Sequence, residues 1–279
     1  NSQNIIIAAD YGLDVAWFAT YLFPIMILSM LVVIAYIDFF EIRKQAPPAE
    51  EFKDVLLKVL RPTLVIINNK KFIIASVSFM CIVACLIIIP CTYIVALVGA
   101  VVLSILERES LATIFKKVDW GTVSFFVTLF LLTGCMDING TMTAISELVM
   151  NVTTGNPFIA SVVILVISSV VTSALSPNPA TVFFLPVFKD LFGMMPTIGA
   201  TMATRTPSII AFFLGLNIGG NFLPQGAPPY VVTLSIAEKI KVEGVTFKSM
   251  TRVGIKFSLL HMLLGIAFLA LVSAVLGVA

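Results

Sequence analysis

Apolar residues run in blocks along this chain, with polar residues collected between them. Blocks at about Val15–Ile37, Phe72–Ile89, Thr92–Leu106, Trp120–Met136, Pro157–Leu175 and Val253–Leu276 read as membrane-crossing helices. Such helices need about 20 residues to cross a hydrocarbon core of about 30 Å. Two shorter blocks, Ala180–Phe192 and Thr206–Ile218, abut clusters that are polar but uncharged. The first cluster is "SPNP" (Ser176–Pro179) and the second "GGNFLPQGAPP" (Gly219–Pro229). A thirteen-residue helix rises about 20 Å, short of a full crossing, so both clusters are expected near mid-membrane. Irregular backbone persists at that depth only where protein or a watery cavity satisfies its polar groups.

Composition agrees with the pattern. Hydrophobic residues make up 59% of the 279 and charged residues 11%, with a mean hydropathy of +1.08. Soluble domains carry about 25% charged residues. Alternating segments of about ten residues, the mark of a membrane barrel, do not occur. Cys81, Cys85, Cys91 and Cys135 lie in or beside apolar blocks and have no metal-ligand spacing with the single histidine, so they are expected to pack and to hold no metal.

Charge then orders the blocks. Fifteen of the 17 Lys and Arg residues fall in three polar stretches: Arg43–Lys71, Arg108–Lys117 and Lys239–Lys256. All fifteen lie on one side only if 157–192 enters and leaves on the other side as a re-entrant hairpin and 206–240 is one broken crossing. By the positive-inside rule that common side is cytoplasmic. Within the first stretch, "EEFKDVLLKVL" (Glu50–Leu60) places Phe52, Val55, Leu56, Val59 and Leu60 on one helical face, as in an interfacial helix. Asn139-Gly-Thr141 and Asn151-Val-Thr153 form two glycosylation sequons on the expected outer loop.

The opening "NSQNIIIAADYGLDVAWF" loosely parallels "APPYVVTLSIAEKIKVEGVTF": a small or polar start, a β-branched run, an amphipathic tail with an acid, then a long span. The two copies would face opposite ways, as in an inverted-topology repeat. The expected organisation is therefore 1–37 as the end of a first repeat, 38–71 as a cytoplasmic linker and 72–279 as a second repeat. That second repeat contains hairpin 157–192, broken helix 206–240 and last span 253–276. The expected fold is an all-α polytopic membrane protein, multi-pass in the plasma membrane, and the front of the first repeat is an expected missing partner.

"SALSPNPATVFFLPVF" and "LGLNIGGNFLPQGAPPYVVTLSIA" resemble the two signature regions of the ion transporter superfamily, and "FFVTLFLLTGCMDINGTM" resembles the span before its hairpin. That group includes arsenite permeases, D-type sodium/proton antiporters and citrate or dicarboxylate carriers; the arsenite permease and antiporter branch looks closest. The resemblance implies a secondary active transporter, working by alternating access on a small anion or oxyacid, arsenite-like or a carboxylate, and a homodimer. A sodium/proton antiporter and, from another class, an ion channel or pore subunit are the alternatives.

The chemistry of the breaks points the same way. A cut helix exposes N–H groups at one new end and carbonyls at the other. The half-helices after Pro179 and Pro229 can face a solute, and the carbonyls ending 157–175 and 206–218 can coordinate Na⁺. Candidate ligands are Ser176, Asn178, Thr181, Asn217, Gly220, Asn221, Gln225 and Gly226, with Na⁺ considered at Ser176, Asn178 and Asn221. Pro177 stands where related antiporters carry an acid, and neither break holds Asp or Glu, which weakens proton exchange there. "APPY" departs from the usual second signature and leaves Tyr230 without a role. His261 within the last span is a candidate for coupling H⁺, and Arg205 could steer an anion. No H-E-x-x-H, G-x-S-x-G or nucleotide-binding loop occurs, so neither an enzyme nor a cofactor is expected, and no nucleic acid.

Overall fold

The computed structural model describes residues 2–44, 58, 66, 68–89, 92–106, 112, 115–116, 118, 120–153, 156–194, 201–242 and 244–278. Among them the regular structure is all helix. The interfacial helix expected over 50–60 lies outside the described residues, apart from Lys58. Among the described residues, four helices are long and apolar enough to cross a membrane, and a bent pair brings the number to five. This is an integral multi-pass membrane protein.

The chain forms two compact units, one of residues 1–33 and 123–279, the other of 34–122. The second contains α4 (Asn69–Ile88) and α5 (Thr92–Leu106), which pack on each other. Phe79, Met80, Leu97 and Ile105 remain exposed there, the arrangement lipid permits and water does not. Cys81 and Cys85 on α4 and Cys135 are free and exposed, not packed as expected, because these apolar faces turn outward.

The larger unit begins with α1 (Ser2–Tyr11) and α2 (Val15–Tyr21), followed by α3 (Phe23–Phe40). Asp14 caps α2 by accepting from the Trp17 N–H at 2.8 Å. Farther on, α6 (Trp120–Ile138) bends by 71° at Asn139–Gly140 into α7 (Thr141–Thr153). The expected outer loop is thus largely a helix. Met142, Ser146, Val149 and Thr153 make a buried stripe along α7, and the Ser146 hydroxyl donates to the Val187 carbonyl at 2.8 Å. Within the sequons, Asn139 accepts from the Thr141 N–H at 3.0 Å and Thr153 is fully buried.

The hairpin is α8 (Pro157–Leu175) and α9 (Pro177–Met194). Its break is Ser176 alone, not Ser176–Pro179. Pro177 and Pro179 sit inside the first turn of α9, where a helix has no use for their missing N–H groups. α10 (Met202–Gly219) likewise starts earlier than the expected Thr206, because Thr201 and Thr204 form a reciprocal capping box. Both arms are 18 residues, about 27 Å, so the half-length argument for the depth of the breaks does not hold. After the second break come α11 (Pro228–Lys239) and α12 (Phe247–Val275).

α8 and α10 lie side by side along most of their lengths. Gly215 and Gly219, four residues apart on α10, face Ser168, Ser169 and Thr172 of α8. A Cβ at Gly219 would lie 2.7 Å from the Thr172 Cβ and 2.9 Å from the Ser169 Cα, and one at Gly215 would lie 2.9 Å from the Leu165 carbonyl oxygen. In lipid, where apolar burial gives helices no reason to associate, small residues permit the close packing that holds them together. A second contact zone is aromatic, with Phe184, Phe188 and Phe212 buried and the Phe188 and Phe212 rings edge to face at 4.5 Å.

Lys189 and Arg205 are the two cations outside the three basic stretches. Lys189 pairs with Asp10 at 2.5 Å, and the Arg205 guanidinium lies 5.9 Å from the centre of the Phe192 ring. One end of the bundle thus gathers Asp10, Lys189 and Arg205, the end that charge patterning assigns to the outside. A single cysteine at Lys248 is expected to react with a membrane-impermeant maleimide only from the cytoplasm, and one at exposed Asn151 only from outside. Labelling of Lys248 from outside would overturn the hairpin topology.

Candidate functional site

Where α10 ends, the backbone turns through Gly220–Phe222, passes a 3-10 turn at Pro224–Gly226 and restarts at Pro228. The carbonyls freed by the cut are taken up locally. Ile218 accepts from the Asn221 N–H at 3.0 Å and from the Ser258 hydroxyl of α12 at 3.3 Å, and Gly219 accepts from the Phe222 N–H at 3.2 Å. Gly220 has ordinary helical angles, φ −61° and ψ −15°, and its neighbours leave a side chain little room. Its Cβ would lie 3.3 Å from Pro177 and 3.4 Å from the Gly226 carbonyl oxygen. The tip of the hairpin and the broken helix therefore meet at Gly220.

α12 runs past this meeting point. It has 29 residues, about 43 Å at 1.5 Å per residue, against a hydrocarbon core of about 30 Å. His261 is its middle residue. Gly254, where a Cβ would lie 3.0 Å from the Phe222 carbonyl oxygen, and Ser258 both touch the break. They lie about 10 Å and 5 Å from the middle of the helix. The break therefore meets α12 in its N-terminal half, at Gly254 and Ser258.

A chain of amides runs through the break. The Gln3 amide of α1 donates to Asn217 Oδ1 at 3.3 Å, and Asn217 Nδ2 donates to the Phe213 carbonyl at 2.7 Å. Asn221 Nδ2 donates to the Asn217 carbonyl at 3.3 Å, and the Tyr230 hydroxyl donates to Asn221 Oδ1 at 3.0 Å. Beside this chain opens a cavity of about 570 Å³. Asn217, Asn221 and His261 line it, joined by Asn4 from α1 and Ser29 from α3, between walls that include Phe18, Met26 and Phe213. Asn4 Oδ1 is buried without a hydrogen-bond partner.

The structure brings together only part of the expected ligand set. Asn217, Asn221 and His261 share the cavity, while Ser176, Asn178, Thr181, Gly220, Gln225 and Gly226 do not line it. Gly220 and Gly226 form the close contact at the break. Thr181 is fully buried and spends its hydroxyl on the Pro177 carbonyl at 2.7 Å. Gln225 is exposed in the 3-10 turn, and Ser176 and Asn178 are half-buried at the hairpin tip. Gln3, Asn4, Ser29 and Tyr230 join the site without having been singled out for it. Their signal was the polar start of the opening repeat and the unexplained Tyr at the end of the second signature.

The starts of the half-helices offer fewer donors than a cut helix normally does. Pro228 and Pro229 have no N–H, and the Tyr230 N–H donates to the Ala227 carbonyl at 3.0 Å. At α9, Pro177 and Pro179 have none, and the Ala180 N–H donates to the Ser176 carbonyl at 3.2 Å. Side-chain amides therefore supply the polar character of the cavity.

Ser176 itself has φ 65° and ψ 163°, a region that is essentially glycine's and costs other residues about 1–3 kcal/mol. Ser176→Gly is expected to stabilise the protein by about 1 kcal/mol after the extra chain entropy of glycine is counted. Thermal unfolding of Ser176→Gly beside Ser176→Ala checks this; a gain from alanine instead of glycine would contradict the strained bend.

A profile of the citrate transporter family matches residues 1–214. A protein named "uncharacterized transporter" from Mycobacterium bovis is 26% identical over 257 residues, which is 90% of this chain and 58% of that protein. A "46 kDa membrane protein" of Mycobacterium leprae is 25% identical over 265 residues, 94% of this chain and 60% of that protein. The mouse "P protein" is 31% identical over 191 residues, 66% of this chain and 22% of the mouse protein. The chain thus spans about 60% of the length of the mycobacterial relatives. No solved structure matches.

Proposed function

The chain belongs to the citrate transporter family, and from that premise we propose that it is part of a secondary active transporter for a small, oxygen-rich solute, a carboxylate or a neutral oxyacid. The observation that carries the reading is the cavity of about 570 Å³ beside the broken helix, lined by Asn217 and Asn221. That volume suits a small molecule, and amides can both donate to and accept from an oxygen-rich solute. The described lining has no Asp, Glu, Lys or Arg, so nothing there demands a charged solute or a carboxylate-centred proton exchange. A carboxylate would bring its own negative charge, with Na⁺ or H⁺ as the natural companion. His261 is the lining residue able to take up a coupling proton.

Alternating access would be a movement of the hairpin and the broken helix against the other spans. An inverted repeat would suit the same reading, and Gln3, at the polar start of the opening segment, donates to Asn217 at the break. The test is uptake of labelled citrate and of arsenite by the full-length protein in proteoliposomes, with and without imposed Na⁺ and pH gradients. Accumulation driven by a gradient is the expected result. Flux of either solute that never exceeds equilibration would favour a channel, and no flux of either would sink the proposed solute class.

A further inference from the structure

Three cations stand at i, i+4 and i+8 on the first turns of α12: Lys248, Arg252 and Lys256. Lys248 and Arg252 are exposed, and neither has an ion pair with a described residue. Between them opens a recess of about 420 Å³, lined by Phe247, Lys248, Thr251, Arg252 and Ile255. The Thr251 hydroxyl is buried and has no hydrogen-bond partner.

Depth gives these residues a meaning that an exposed helix in water would not have. Along the helix axis from the middle of the apolar span Val253–Leu276, Lys248 lies about 25 Å away and Arg252 about 19 Å. The half-thickness of the hydrocarbon core is about 15 Å. Lys248 and Arg252 therefore both reach the level of lipid headgroups, with Phe247 and Ile255 beside them. Cations at that level attract an anion, and the leaflet on the basic side of the chain is the one rich in anionic lipid.

We propose that this recess binds the phosphate of an anionic phospholipid. Lys248 and Arg252 contact the phosphate oxygens, the Thr251 hydroxyl donates to one of them, and the acyl chains run along Ile255. A bare anion would leave the apolar walls without a partner; an amphiphile fills both parts of the recess. Because Gly254 and Ser258 one turn farther along hold the broken helix, a lipid seated here steadies the segment of α12 on which the solute site rests.

Thermal unfolding of delipidated full-length protein in detergent tests the site independently of transport. Phosphatidylglycerol, added well above its dissociation constant, is expected to raise the midpoint by about 5 °C over phosphatidylcholine of the same chains. Lys248→Gln/Arg252→Gln is expected to lose that shift while keeping its midpoint in phosphatidylcholine. If the double variant fails to fold, Lys248→Gln alone is expected to lose a part of the shift. Equal protection by inorganic phosphate would assign the recess to a free anion and overturn the lipid. An undiminished shift in the folded variant, or no difference between the two lipids, would overturn the site.

Discussion

Asn221→Ala in the full-length protein is expected to lower the proposed gradient-driven solute uptake by roughly 10- to 100-fold, with the protein still present in the membrane at its normal level. The Asn221 amide is the junction of the polar chain at the break, donating to the Asn217 carbonyl and accepting from the Tyr230 hydroxyl. Truncation removes a cavity-lining amide and strands two partners, each loss costing about 1–3 kcal/mol, and 1.4 kcal/mol is a factor of about ten. Tyr230→Phe removes one hydrogen bond and leaves the amide in place, so a loss of about 2- to 5-fold is expected. Proteoliposome uptake with surface expression measured in parallel distinguishes the two. Wild-type uptake by Asn221→Ala would remove the break from the solute site.

Gly219→Ala has its largest effect on folding. Its Cβ would press on the Ser169 backbone and lie 2.7 Å from the Thr172 Cβ. Neither neighbour is the far end of a flexible side chain, so the α8–α10 pair must separate. Overpacking costs about 1–3 kcal/mol and more where backbone opposes it, and in lipid no hydrophobic force draws the helices back. The expected result is little or no monodisperse protein, read by fluorescence-detected size exclusion. Gly193→Ala, where a Cβ meets nothing within 4 Å, is the control and is expected to behave as wild type. Normal yield and stability for Gly219→Ala would show that α8 and α10 are not so close.

Much of the membrane architecture was legible in the chain because lipid leaves few options: apolar blocks of sufficient length become helices. The spans at Phe72–Ile89, Thr92–Leu106 and Pro157–Leu175 match α4, α5 and α8 to within a few residues. Failures came where proline and polar residues were read as breaks. Pro177 and Pro179 lie in the first turn of α9, where a helix does not require their N–H groups. α7 was missed because its one-sided stripe of Met142, Ser146, Val149 and Thr153 is too polar to read as a span.

The site was half legible. Asn217 and Asn221 stand out as uncharged polar residues beside Gly-Gly in an apolar chain, and that signal is local. Gln3 and Asn4 reach the same place from more than 200 positions away, and spacing along a chain says nothing of such a meeting. Ser176 and Asn178 carry equally strong local signals, yet the hairpin tip meets the broken helix through Pro177 and Gly220 and leaves their side chains outside the cavity lining.

By itself the sequence determined that this protein lives in a membrane as helices, and that two uncharged polar clusters interrupt them, because burying backbone in lipid admits little else. The tertiary structure decided that "SALSPNPATVFF" bends at one residue, Ser176, and that its Pro177 rests on Gly220. It also decided that the cavity belongs to Asn217, Asn221, His261 and residues of the opening segment. The reason is physical: hydropathy acts residue by residue, whereas a binding cavity depends on how closely helices approach, and here glycines at single positions set that distance.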